Sequence, residues 1–183
     1  MICCKNNLYC FVVLQIFLGY NGIMDYKHYL DKGIQETNEG RFDEALHSLS
    51  RAIGLKPDDA LAYFSLAIVY HNMNELVSAY DNYSKAIEFN PKMTDAYFNR
   101  AQTILHGENP DEIKLNMALK DFQKAVELDF KFIDALYYSA VVQKKLGDYK
   151  GALENLDKVL SIDPNAVYSK ALKKLILQKY IDM

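Results

Sequence analysis

AYFSLAIVYHNMNELVSAYDNYSKAIEFNP, residues 62–91, reads as two amphipathic helices followed by a stop. In its first half Tyr63, Leu66, Ala67 and Tyr70 fall at i, i+3, i+4 and i+7, one stripe of a helix. Asn72 and Asn74 end that helix. In the second half Leu76, Ala79, Tyr80, Tyr83, Ala86 and Ile87 keep the same periodicity, predicting a helix from about Glu75 to Phe89. Asn90-Pro91 closes it, because proline cannot continue a helix and moves the preceding residue away from helical angles. Ala67 and Ala79 stand where the two helices should approach most closely, and only small side chains let the backbones near each other. An isolated pair of this kind cannot bury its apolar faces, whereas a stack of pairs can.

The rest of the chain repeats the pattern. Ala45, Ala79, Ala118 and Ala152 are separated by 34, 39 and 34 residues, and Pro57, Pro91, Phe130 and Pro164 keep those same intervals. A fixed period of this size is the mark of stacked supersecondary units, which present an extended surface in place of a catalytic cleft. The units fall at residues 26–59, 60–93, 94–132 and 133–166, with a capping helix in 167–183. That helix, about Asn165 to Tyr180, has Tyr168, Ala171, Leu172, Leu175 and Ile176 as its apolar stripe, and Lys170, Lys173, Lys174 and Lys179 as a solvated outer face. Leu177 and Ile181 fall off the stripe. The third unit carries a five-residue surplus within His106-Gly107-Glu108-Asn109-Pro110-Asp111-Glu112. A capping residue, a proline and acids at the positive end of the helix dipole predict an early start of its second helix, by roughly one and a half turns.

Bulk properties narrow the function. The chain has 183 residues, half of them apolar and a quarter charged, enough for a folded helical core. A net charge of −3 argues against general nucleic-acid binding, which needs a clustered cationic surface. Cys3, Cys4 and Cys10 are the only thiols, so the repeats hold no disulfide or cysteine metal site. His28, His47, His71 and His106 each lack a second ligand at i+3 or i+4, and no phosphate loop or nucleophile elbow occurs. No enzyme activity, cofactor or metal is expected.

Residues 1–23 stand apart, with Leu8–Leu18 apolar except for Gln15. A secretory signal, a short membrane anchor and a translation start at Met24 are three open readings. The last implies a cytoplasmic protein; the others imply export or a membrane contact made only through residues 1–23.

The repeated residues resemble the tetratricopeptide repeat (TPR) family. Unit one fits its pattern with Tyr29, Gly33, Gly40, Phe42, Ala45, Leu49, Ala52 and Pro57, and unit two with Tyr63, Leu66, Ala67, Tyr70, Ala79, Tyr83, Ala86 and Pro91. Unit four fits with Leu136, Ala140, Gly147, Tyr149, Ala152, Leu156, Val159 and Pro164; unit three begins with Tyr97 and Ala101 and then departs. The resemblance covers residues 26–166 and implies an all-α, right-handed superhelical solenoid of four helix-turn-helix units plus the capping helix. Lys32 and Arg100 stand where leucine is common, which predicts looser packing there. Phe130 in the place of proline predicts a less sharply defined turn.

The resemblance also implies a site. First helices of the family line a concave groove that binds protein segments. The matching positions are Leu30 and Ile34, Phe64 and Ile68, Phe98 and Gln102, and Tyr137 and Val141, with Asn38, Ser65, Asn72, Asn99 and Lys145 as polar neighbours. An apolar strip rimmed by amides suits an extended peptide; packing of the same side chains between units is the alternative. The family's carboxylate clamp for chaperone tails requires Lys and Asn, then Asn, then Lys and Arg. This chain has Leu30, Ile34, Ser65, Asp95 and Asn99 there, or Phe64, Ile68, Asn99, Asp134 and Tyr138 one unit on, so the cationic grip is missing. The expected role is a scaffold or adaptor binding a protein or peptide segment. A membrane-tethered or exported assembly factor of an envelope complex is the alternative.

Overall fold

The computed structural model describes residues 25–181, and the N-terminal segment with its three readings lies outside them. Helix α1 covers residues 25–38. It is followed by α2 (Phe42–Leu55), α3 (Ala60–Asn72), α4 (Leu76–Phe89) and α5 (Thr94–His106). Then come α6 (Glu112–Leu128), α7 (Ile133–Leu146), α8 (Tyr149–Ile162) and α9 (Val167–Ile181). The described residues contain no strand. Each helix packs on the next, giving an all-α solenoid.

The close approach of each pair rests on small residues. Ala45, Ala79, Ala118 and Ala152 have no exposed surface. In the first pair the small residue is glycine by necessity: a Cβ on Gly33 would stand 2.6 Å from Leu49 Cγ. The turn inside a pair needs one left-handed residue, supplied by Gly40 (φ 74°), Asn74 (φ 62°) and Gly147 (φ 82°). Asn109 (φ 40°) takes this part in the third pair. It therefore belongs to the turn, and the cap of α6 is Asp111, whose side chain accepts from Lys114 N. With 17 residues against 14 in α4, α6 is longer by less than one turn, and the rest of the surplus lies in the connection.

Phe130 does not blur its turn. Asp129 accepts from Lys131 N at 3.0 Å, as Asn90 accepts from Lys92 N and Asp163 from Asn165 N. The side-chain oxygen, not the proline, shapes all three corners.

The core crosses the unit borders. Leu30, Leu49 and Ala52 cluster with Leu66 and Val69 of the next unit; Leu115, Phe122 and Ala125 with Ala135 and Val142; Leu156 with Ile176. Leu49, Tyr83, Phe122 and Leu156 hold the same place in each second helix and are at most 2% exposed. Burial raises the Tyr83 phenol above its ordinary range.

In α9 the apolar stripe differs from expectation. Ser169 and Ile176 are buried and Leu172 half-buried, whereas Tyr168, Ala171 and Leu175 are exposed. Lys173 turns back to pair with Asp157, and Lys179 lies over the Tyr149 ring, so the lysines tie α9 to α8 as well as covering it.

Candidate functional site

Helices α1, α3, α5 and α7 make one face of the stack, and α2, α4, α6 and α8 the other. On the first-helix face the anticipated groove residues divide. Leu30 is 6% exposed and packs within the first core cluster, so it does not reach the surface. Phe64 is half-buried, with its ring 5.7 Å from that of Tyr83. Phe98 meets three rings, Phe122 at 5.6 Å, Phe132 at 4.8 Å and Tyr138 at 5.9 Å. Both rings are therefore engaged in packing, Phe64 on Tyr83 of its own unit and Phe98 on Phe122 and Phe132 of its own unit and Tyr138 of the next.

Ile34 and Ile68 behave otherwise. They share a small recess of about 50 Å³ with Thr37, Asn38 and Ser65, formed between α1 and α3. Asn72 is exposed at the end of α3, and Asn99, Gln102, Tyr137 and Val141 are half-buried on α5 and α7. The structure thus gathers Ile34 with Ile68 in the recess, with Leu30 buried in the core beneath Ile34 and Phe98 in the aromatic cluster.

A histidine pair also lies on this face. The rings of His71 and His106, at the ends of α3 and α5, meet edge to face at 4.9 Å. Thr103 Oγ1 donates to the Asn99 carbonyl, so His71 Nδ1 is the donor in its 2.9 Å contact with that hydroxyl. Burial and, after it, the neighbouring His106 hold His71 below the ordinary histidine value. A search along single helices misses this pair; a separation of about one repeat was the available signal. Among the described residues no group of three His, Cys, Asp or Glu is placed to hold a metal ion.

On the second-helix face a larger cavity, about 660 Å³, opens between α4 and α6 with α5 as its floor. Its floor is a charge clasp. Arg100 Nε and Nη2 donate to the two Asp121 carboxylate oxygens at 2.8 Å, and Nη1 donates to Ser84 Oγ at 3.0 Å. The guanidinium also faces the Tyr80 and Tyr97 rings at 5.4 and 5.8 Å. Burial works against its charge, and the Asp121 hydrogen bonds and charge more than restore it, raising the guanidinium above its ordinary value. Contrary to the expectation of looser packing, Arg100 is the most fully engaged polar side chain of the third pair. Lys32 is half exposed and, among the described residues, reaches Glu36 at 3.7 Å. A signal for the clasp was present: opposite Arg100 stands Asp121, where the other second helices have Ser48, Asn82 and Asn155.

The described helices contain none long and apolar enough to cross a membrane.

Three family descriptions match the chain: TPR repeat over residues 35–74, tetratricopeptide repeat over 60–93, and Fis1 C-terminal tetratricopeptide repeat over 133–181. Human protein O-mannosyl-transferase TMTC3 is 32% identical over 125 residues, 68% of this chain and 13% of that protein. The chain spans between 13% and 37% of the length of such curated relatives. Among solved structures, MamA superposes with a TM-score of 0.72 at 19% identity, covering 85% of this chain and 88% of the other. The first TPR of Spaghetti (RPAP3) bound to the HSP90 peptide SRMEEVD superposes with a TM-score of 0.62 at 20% identity, covering 68% and 94%.

Proposed function

The chain belongs to the tetratricopeptide repeat family, and we propose that it is a non-enzymatic adaptor holding an extended segment of a partner protein on its first-helix face. The observation that supports this reading is the recess between Ile34 and Ile68. Its lining is mostly apolar, with Asn38, Ser65 and Thr37 beside the isoleucines, and it repeats one position across adjacent units. One apolar side chain of the segment enters between the isoleucines, while Asn38, Asn72 and Gln102 bond its backbone. Tyr137 and Val141 continue the row on α7, and Asn99 supplies a further amide; Leu30 and Phe98 leave the binding set.

The bound segment is not a carboxylate-terminated tail. The RPAP3 domain holds an HSP90 peptide, but this chain lacks the cations that grip a terminal carboxylate, having Asp95 and Asn99 at those places. The test is Ile68→Asp. Affinity capture from the native host with mass spectrometry should lose the partner while circular dichroism at the capture temperature shows the variant still folded. Undiminished capture by the variant would sink the reading.

A further inference from the structure

The cavity between α4 and α6 continues past its shared walls Tyr80 and Met117 into a recess of about 410 Å³ lined by Leu76, Val77, Ile104 and Lys114. Val77 and Met117 are 78% and 42% exposed, and Ile113, one turn before Met117, is 72% exposed. The repeat does not demand apolar side chains here. The place of Val77 is taken in the other units by Asp43, Asn116 and Lys150, and that of Met117 by Glu44, Ser78 and Gly151. Apolar groups that packing does not require, gathered at a concavity, mark an interaction surface.

Charge selects the occupant. The two carboxylates that line the cleft are each held by a cation, Asp121 by Arg100 and Glu127 by Lys124. Lys114 and Lys120 line the two cavities and have no carboxylate partner among the described residues. The α6 wall from Lys114 to Glu127 is about 20 Å long at 1.5 Å per residue, the span of a short helix. We propose that this cleft docks an amphipathic helix of a partner protein whose apolar stripe is flanked by Asp or Glu. The stripe lies against Val77, Ile104 and Met117, and the carboxylates meet Lys114 and Lys120. This second surface is separate from the first-helix face and does not depend on it.

The experiment uses the full chain and two fluorescein-labelled synthetic helices with the same leucine stripe, one flanked by Glu and one by Lys. Fluorescence anisotropy should show the acidic helix binding at least about tenfold more tightly. Lys114→Glu with Lys120→Glu should reverse that order. Val77→Asp should weaken the acidic helix about tenfold without lowering the melting temperature, whereas Ile68→Asp should leave its binding unchanged. Failure of the acidic helix to bind, equal binding of the two helices, or equal loss with Ile68→Asp would overturn the proposal. A dimer in sedimentation that Val77→Asp dissolves would overturn it in favour of a second copy.

Discussion

The first-helix face and the second-helix face come from one repeat, yet at Phe98 the first is packed with rings while at Arg100 the second opens into a cavity. On the first, Phe98 is drawn into a cluster with Phe122, Phe132 and Tyr138, and the recess left at Ile34 and Ile68 measures about 50 Å³. On the second, Arg100 and Asp121 floor a cavity of about 660 Å³. The difference shows that the side chain offered by the facing helix decides the fate of a surface position. Phe98 is packed against three rings, two of its own unit and one of the next. Arg100 and Asp121 hold each other across the floor of the open cavity.

The largest expected effect separates ring from recess. Phe98→Ala should cost about 3 kcal/mol, towards the lower end for aromatic truncation because the ring is half-buried. Ile68→Ala should cost less than half as much in the same urea denaturation series. Equal losses would erase the distinction between filled and open positions.

Next comes the clasp. Asp121→Ala leaves the Arg100 guanidinium mostly buried without its partner, and about 2–3 kcal/mol of stability should go. The double change Arg100→Met with Asp121→Leu should recover most of it. If the single variant melts like the parent, the pair does not hold the floor of the cleft.

Overpacking the backbone approach follows. Gly33→Ala puts a Cβ against Leu49 Cγ and should cost about 1–3 kcal/mol. Hydrogen exchange should then loosen α3 as well as α1 and α2, since Leu66 and Val69 share that cluster.

The smallest effect is acid sensitivity at the histidine pair. The folded chain holds His71 below its ordinary value, first by burial and then by His106, so the unfolded chain takes up the proton more readily. Stability is therefore lost as the pH falls below about 6.5, the unfolded histidine value. His71→Gln should flatten the dependence of melting temperature on pH in that window. An unchanged slope would assign the acid response to other groups.

Much of the fold was legible because it depends on spacing. The intervals of the four alanines place every tight helix contact, and the left-handed turn residues lie at the same unit position wherever the length is regular. The site was harder to read. Phe64 and Phe98 occupy equivalent places, and what sets them apart is Phe132 at the end of the same unit and Tyr138 across the next border. Arg100 was visible as an anomaly, but its meaning needed the Asp121 carboxylate on another helix. In α9 the periodicity named Tyr168 and Leu175 as core, yet the contact with α8 is made by Ile176 and Leu172, and Tyr168 and Leu175 remain outward.

The mixing of core residues across unit borders also sets an order on synthesis. Leu156 is covered only when Ile176 of α9 arrives, and Phe122 only when Ala135 and Val142 of α7 do. A chain leaving the ribosome therefore completes each layer one helix late, its newest pair always waiting for a lid that has not been translated. The solenoid grows like a zip whose last closed tooth trails the slider by one.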